Sequence, residues 1–329
     1  MNHRRFFVMA AGAVLASGFA AIRAQDRVLA RRRVGVLAPS TAEREELVLK
    51  PFFVQMRKLG WVEGKTVDYD RVYADDQQQR LSQLALEMVT RRPDLIYAPP
   101  TPAAVAAKQA TDTIPIVFGA VRDPVGSGLV RSLSRPATNV TGVCVFAESL
   151  GPKRLELLRE ILPHAKRLGW LGDSTDPTTQ ADRQTLQPFA ASFGITIVEA
   201  EAANPATADT AIERLLADRV DVIYTGTSPL LYNLRNRLIE RANQKRIPVI
   251  AYRAQFAEAG ALFSYGASLP DQIRRSAFHV DKILKGASPQ DLPVEQATVF
   301  ELVLNMKAAQ ALGIPVPRSM ALRADRVIE

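Results

Sequence analysis

The chain has 329 residues, of which 47% are apolar, 23% charged and 7% aromatic, values that are typical of a folded protein and exclude collagen-like, low-complexity and wholly disordered chains. Because one hydrophobic core stops growing near about 250 to 300 residues, this length predicts two lobes with a cleft between them. The net charge of +8 falls to +5 after residue 24, because three basic and no acidic residues precede that point, so the charge is too small to indicate a nucleic-acid partner.

Residues 1–24 are predicted to be a cleavable signal peptide. A basic start at residues 1–5 is followed by an uncharged stretch at 6–22 and by a small residue, Ala24, before the predicted cut. A membrane anchor is the alternative, but the apolar run is close to the minimum for a bilayer and leads into further basic residues. Arg4 and Arg5 resemble a twin-arginine signal, and Sec export stays open. We therefore expect a periplasmic protein.

Short apolar runs alternate with amphipathic stretches along the rest of the chain. In the first half, strands are predicted at 34–37, 67–73, 94–97 and 114–118, with helices ending at Gly60 and spanning 81–89 and 102–110 between them. In the second half, a helix is predicted from Leu150 to Leu162, and strands at 168–171, 195–198, 220–224 and 247–252, again with helices between. Such alternation indicates right-handed βαβ crossovers and parallel sheets.

The predicted fold class is α/β, with two doubly wound, Rossmann-like lobes. Residues 139–146 form a β-like run with no helix before it, and residues 261–266 look similar, so both are predicted to pass from one lobe to the other. No Gly/Ser linker separates the halves, and relative motion would therefore be a hinge in a few extended residues. An eight-stranded barrel is the alternative architecture.

The inventory of reactive side chains favours binding over catalysis. The three histidines are His3, His164 and His279, and none has a nucleophile placed beside it in the sequence. Cys144 lies in an apolar strand, where burial raises the pKa of a thiol, and it has no second cysteine for an internal disulfide. No spacing typical of metal ligands occurs. We therefore predict no catalytic residue, no metal and no cofactor.

Polar side chains collect immediately after the predicted strands. In open parallel sheets ligands bind at the carboxyl edge, where the next helix begins with free N–H groups and a positive dipole end that suit an anion. The alternative is that these residues only cap those helices. Aromatic residues near strand ends, or near the segments that pass between lobes, are added to this set. The predicted ligand-binding residues are Ser40, Thr41, Thr101, Asp123, Phe146, Asp173, Thr175, Thr227, Ser228, Tyr252, Arg253 and Tyr265.

Several stretches resemble the bacterial ABC transporter substrate-binding proteins of the type I periplasmic-binding fold, which include tryptophan-binding members. They are PAAVAAKQAT at 102–111, IPIVF at 114–118, DPVGSGLVRSLSRPATNVTG at 123–142, KRLELLREILP at 153–163, SYG at 264–266, DKILKGASPQDLP at 281–293 and LRADRVIE at 322–329. The chain departs from the family pattern at Ala137 and Thr138, where two glycines are common, and at Ala261. These changes reduce backbone freedom near segments that resemble hinges.

The resemblance implies two lobes joined by three crossovers, with ligand held between them. The predicted N-terminal lobe comprises residues 32–147 and 268–300, and the C-terminal lobe comprises 148–267 and 301–329. The resemblance also implies delivery of a small-molecule solute to a membrane permease of an ABC transporter. We expect a monomer with no nucleic-acid partner.

The predicted function is therefore a periplasmic receptor that closes around an amino acid or aromatic carboxylate. Ser40, Thr101, Thr227 and Ser228 are expected to donate hydrogen bonds to the anionic end, Asp173 to receive an ammonium, Tyr252 and Phe146 to form walls, and Arg253 to pair with the carboxylate or brace the lobes. Two alternatives stay open, namely an exported α/β hydrolase or transferase and a receptor for a membrane sensor kinase. A DNA-binding regulator is disfavoured because the chain begins with an export signal.

Overall fold

The structure is a computed structural model that describes residues 31–145 and 150–329. The predicted signal peptide and Phe146 lie outside the described residues. Within the described ranges, no helix combines the length and the apolar character that a bilayer crossing requires.

The strands in these ranges are β1 (Arg32–Ala38), β2 (Val67–Tyr73), β3 (Leu95–Tyr97), β4 (Ile116–Val121), β5 (Val140–Cys144), β6 (Arg167–Asp173), β7 (Thr196–Ala202), β8 (Val222–Thr225), β9 (Val249–Ala251), β10 (Phe263–Ala267), β11 (Glu295–Gln296), β12 (Phe300–Asn305) and β13 (Arg326–Ile328). The helices are α1 (Ala42–Lys58), α2 (Leu81–Thr90), α3 (Thr101–Ala110), α4 (Leu150–Ile161), α5 (Pro177–Ser192), α6 (Pro205–Ala217), α7 (Pro229–Asn233), α8 (Arg235–Gln244), α9 (Ala254–Glu258), α10 (Leu269–Leu284), α11 (Met306–Leu312) and α12 (Arg318–Arg323).

These strands form two separate sheets. The first has the order β2-β1-β3-β4-β5-β11, and all its pairings are parallel. The second has the order β7-β6-β8-β9-β10-β12-β13, and it is parallel except where β12 pairs antiparallel with β10. The predicted α/β fold with two doubly wound lobes is confirmed, and the barrel alternative is wrong.

The central strands of each sheet are buried on both faces, which explains why they are continuous apolar runs, whereas the edge strands β2 and β7 are partly exposed and contain charged residues. In β1, Val34 and Val36 pack into one cluster with Phe52 of α1, whereas Leu37 points into a second cluster with Met88 of α2. The second sheet has two clusters of the same kind, one of them containing Trp170. Two independent cores of this kind allow the lobes to move as separate bodies.

The chain passes between the two sheets three times, after β5, after β10 and after β11. The segments are hydrogen-bonded to one another, because Ala297 N–H donates to the Cys144 carbonyl at 2.8 Å and Ser268 N–H donates to the Val299 carbonyl at 3.0 Å. Three adjacent connections of this kind favour bending about one axis. The exact lobe boundaries given above stay predictions.

Helix α10 follows the second crossing and returns to the first sheet. Apolar side chains at helical spacing, Ile273, Ala277, Val280 and Leu284, are buried against α1, β4 and β5. This packing places the first turns of α10 beside the hinge, at the edge of the first sheet that faces the other lobe.

Candidate ligand-binding site

A cleft lies between the lobes next to the hinge segments. Because both sheets present the carboxyl ends of parallel strands here, the cleft lies where α/β proteins bind ligands. Its lining residues are Arg122, Val145, Leu150, Arg154, Thr227, Tyr252, Arg253, Gly266, Ala267 and Gln272.

Arg154 enters the cleft from α4 and is held firmly by the C-terminal lobe. Its Nε donates to the Tyr265 carbonyl at 2.7 Å, and its Nη1 donates to the Tyr224 hydroxyl. Burial raises the pKa of the Tyr224 phenol, so this partner stays neutral. Arg154 therefore supplies fixed positive potential to one wall.

Arg253 follows β9 and lies between two aromatic rings. Its guanidinium carbon is 5.6 Å from the ring centroid of Tyr252 and 5.8 Å from that of Tyr232. Within the described residues no carboxylate forms an ion pair with Arg253. A stacked guanidinium keeps its N–H edge available, and that edge matches the two oxygens of a carboxylate.

Arg122 follows β4 of the first sheet and reaches across the cleft. Its Nη2 pairs with Asp182 of α5 at 2.8 Å, and its Nη1 donates to the Thr227 carbonyl. The two charged side chains are only 12% and 18% exposed. Burial raises the pKa of Asp182, although Arg122, Arg154 and hydrogen bonds from Thr227 act in the opposite direction. This ion pair ties the lobes together.

A second polar contact joins the lobes through the ends of α1 and α7. Arg44 Nη1 donates to Asn233 Oδ1 at 3.4 Å, and Asn233 Nδ2 donates to Asp76 Oδ1 at 3.4 Å. Asp76 has a φ of 63°, a left-handed conformation that aspartate adopts more often than most residues other than glycine. Ser40 Oγ donates to the same carboxylate at 3.2 Å. These two polar contacts between the lobes, both among the described residues, indicate a closed arrangement.

Gly266 allows the hinge strand β10 to lie against the end of β9. An ideal Cβ at this position would be 1.9 Å from the Tyr252 carbonyl oxygen, a distance that no side chain tolerates. The Tyr252 hydroxyl in turn donates to the Ser228 carbonyl at 2.9 Å. The glycine therefore sets the floor of the cleft and the position of the tyrosine ring beside Arg253.

Three predicted ligand-binding residues line this cleft, namely Thr227, Tyr252 and Arg253. Phe146 lies outside the described residues. The others are not among the lining residues: Ser40, Thr41, Thr101, Asp123, Asp173, Thr175, Ser228 and Tyr265. Their predicted contacts with ligand stay predictions.

Several of these strand-end residues make local hydrogen bonds. The Ser228 hydroxyl accepts from Leu231 N–H at the start of α7, and Asp123 Oδ1 accepts from Gly126 N–H at 2.7 Å. Asp173 Oδ1 accepts from both the backbone and the hydroxyl of Thr175. These are the capping and turn contacts that are the alternative to ligand binding at such positions.

Sequence reasoning missed the cleft residues Arg122, Arg154 and Gln272. Arg122 directly precedes the predicted Asp123 and obeys the same rule for strand ends, so that signal was present. Arg154 and Gln272 lie on helices, where no local pattern separates a cleft residue from a surface residue. Only the packing of α4 and α10 beside the hinge reveals them.

Two further reactive side chains lie outside the cleft. Burial raises the pKa of the Cys144 thiol to about 11, as expected for a strand residue, and burial lowers the pKa of His279. In the part of the chain that the structure describes, no group of three or more His, Cys, Asp or Glu side chains could hold a metal ion.

Comparison with known proteins gives a family match over most of the chain. A family model described as ABC transporter substrate binding protein matches residues 38–328. A tyrosine-binding protein of Clostridioides difficile (strain R20291) is 29% identical over 265 residues, which cover 80% of this chain and 76% of that protein.

Solved structures share the fold. The L-Trp complex of an ABC domain from Streptococcus pneumoniae has a TM-score of 0.84 at 24% identity and covers 91% of this chain and 100% of that one. A ligand-free, open substrate binding protein with adhesive properties from Clostridium difficile has a TM-score of 0.69 at 28% identity, with 91% and 99% covered. The family consists of binding proteins, which confirms the prediction that the chain is not an enzyme.

Proposed function

The chain belongs to the ABC transporter substrate-binding protein family, and from that premise we propose that it is the periplasmic receptor of an importer. The receptor closes around a small amphipathic carboxylate, an amino acid or an aromatic acid, and presents it unchanged to a membrane permease. A ligand that contacts both lobes stabilises the closed form over the open form. This difference in affinity increases the fraction of closed protein, which is the form that the permease recognises.

The observation that carries this proposal is the charge of the cleft. Its described lining includes three arginines and no acidic side chain. A carboxylate entering this space gains charge-assisted hydrogen bonds, whereas a ligand whose only charge is positive is disfavoured. Apolar surface from Val145, Leu150 and the Tyr252 ring provides a complementary wall for an apolar or aromatic group.

Two further observations support this ligand class and the closing motion. The curated relative is named a tyrosine-binding protein, and tyrosine has both a carboxylate and an aromatic group. The backbone superposes better on the L-Trp complex, at a TM-score of 0.84, than on the ligand-free open structure, at 0.69, although the sequence is nearer to the latter. This order fits the two polar contacts that join the lobes.

We also propose that residues 1–24 direct export and that the lobes divide at residues 147, 267 and 300. The protein acts as a monomer that binds a permease and no nucleic acid. A periplasmic location accords with a chain that has one cysteine and two large cores, because such cores need no disulfide.

Isothermal titration of the mature protein, residues 25–329, tests the ligand class. The panel contains L-tyrosine, 3-(4-hydroxyphenyl)propionate, which lacks the ammonium, and tyramine, which lacks the carboxylate, with D-galactose as a sugar. We expect at least one carboxylate to bind and to be recovered unchanged, and tyramine and galactose not to bind. At 100 times its dissociation constant, the bound ligand should add about 2.7 kcal/mol to the free energy of unfolding.

A matched pair of variants distinguishes a direct contact with the ligand from a general effect of positive charge on the protein. Arg253→Leu should weaken carboxylate binding about 10- to 100-fold. Arg235→Leu should leave it unchanged, because Arg235 also stacks on Tyr232 but does not line the cleft. Preferential binding of tyramine or galactose, or chemical conversion of the ligand, would overturn the proposal.

A further inference from the structure

Gln272 on α10 is an amide without a partner in the wall of the cleft. The residue is 1% exposed, and its Nε2 has no hydrogen-bond partner among the described residues. A buried donor without an acceptor is expensive, and most such groups in folded proteins are satisfied. One turn further along α10, the Ser276 hydroxyl is satisfied by both Tyr97 and the Ile273 carbonyl. The amide of Gln272 is thus an unpaired buried donor at a position that lines the cleft.

The groups around this amide define what it can bind. The cleft that Gln272 lines also contains Arg122, Arg154 and Arg253, so an incoming group meets donors and positive charge on several sides. Arg122 is engaged with Asp182 and the Thr227 carbonyl of the opposite lobe. A carboxylate has two oxygens and about four lone pairs, enough to accept from an amide and a guanidinium together.

The two donors lie on different lobes. Gln272 belongs to α10, which packs on α1, β4 and β5 of the first sheet, whereas Arg253 follows β9 of the second sheet. A carboxylate that accepts from both would join the lobes through its own oxygens. Such a contact exists only when the cleft is closed, and it therefore contributes to the difference in affinity that drives closure.

We infer that Gln272 is a ligand-binding residue whose Nε2 donates to the ligand carboxylate, so that Gln272 and Arg253 form a two-lobe carboxylate clamp. The inference rests on the proposed function and adds the N-terminal half of the carboxylate site. The unpaired donor is then the feature that ligand binding satisfies, which makes the site selective for an acceptor at this point.

Gln272→Met tests the clamp, because methionine keeps the length and volume of glutamine but removes the amide. The mature protein is titrated with L-tyrosine, and its melting temperature is measured without ligand. We expect binding to weaken about 10- to 100-fold, while the melting temperature stays the same or rises because a buried unpaired donor is gone. Gln272→Asn keeps the amide but shortens the side chain by one methylene, and it should also weaken binding. This second variant keeps the test valid if Gln272→Met does not fold.

Gln255→Met is the matched control. Gln255 on α9 also has a buried oxygen without a partner among the described residues, but it does not line the cleft. Its substitution should change the dissociation constant by less than about twofold. Tyrosine binding within twofold of wild type in both Gln272 variants would overturn the clamp and leave the proposed function standing. A wild-type protein that binds no carboxylate of the panel would overturn both.

Discussion

Replacing Arg122 by leucine should weaken ligand binding in a way that depends on pH. In the closed protein Arg122 pairs with Asp182 at 2.8 Å and donates to the Thr227 carbonyl, and both charged side chains are largely removed from solvent. A charge-assisted hydrogen bond contributes about 1.5 to 3 kcal/mol. Since each 1.4 kcal/mol is tenfold in affinity, the dissociation constant near neutral pH should rise about 10- to 100-fold.

The pH dependence follows from the carboxyl group that the substitution leaves behind. Burial raises the pKa of Asp182 even in the presence of Arg122, and removal of the cation raises it further. When the lobes open, this carboxyl returns to water and to its ordinary range. The closed form therefore binds the proton more tightly than the open form, and closure becomes more favourable as the pH falls. Part of the lost affinity should return as the pH falls.

Isothermal titration with L-tyrosine at about pH 5, 6 and 7.5 measures this effect. Adding Asp182→Asn to the Arg122→Leu variant removes the unpaired buried charge and should recover most of the lost affinity at every pH. Arg183→Leu is the control, because Arg183 is adjacent in sequence but pairs with Glu199 inside its own lobe. A loss that is equal at all pH values, or a double variant as weak as Arg122→Leu, would show that Arg122 acts on the ligand directly.

Three further predictions concern stability and closure. Burial raises the pKa of Glu45 from 4.5 to about 7. The folded state therefore holds this proton more tightly than the unfolded state, and the free energy of unfolding falls as the pH rises through that range. Glu45→Gln should remove about 3 kcal/mol of this decline, measured by urea denaturation at about pH 5 and pH 8. Gly266→Ala should lower the melting temperature and abolish binding, because its Cβ would strike the Tyr252 carbonyl, whereas Gly151→Ala in α4 meets only ordinary contacts and should be neutral or stabilising by up to about 1 kcal/mol. Asn233→Ala removes an exposed contact between the lobes and should raise the dissociation constant no more than about fivefold; a larger effect would mean that this contact, rather than the Arg122 pair, dominates closure.

Much of the fold follows from local patterns. The apolar run at residues 34–37 lies within β1, the alternating stretch at 67–73 is β2, and the run at 139–146 contains β5, which leads into the first crossing between lobes. Strand periodicity, apolar stripes and turn residues act over a few positions, so they can be read without knowing what packs against them. The strands of the last sixty residues were harder to predict from the sequence. The two-residue β11 and the antiparallel β12 cannot be recognised as strands until the sheets that they join are known.

The sequence by itself determined the alternation of strands and helices as far as β9, the two-lobe α/β class and the strand-end positions of Thr227, Tyr252 and Arg253. Only the tertiary structure decided which strand ends face the cleft and which cap their own helices, as Ser228 does. It also decided that Arg122, Arg154 and Gln272, separated by up to 150 residues in the chain, share one cleft. The physical reason is that caps and periodicity arise from neighbours in sequence, whereas a cleft between lobes arises from the angle at which two separate cores meet.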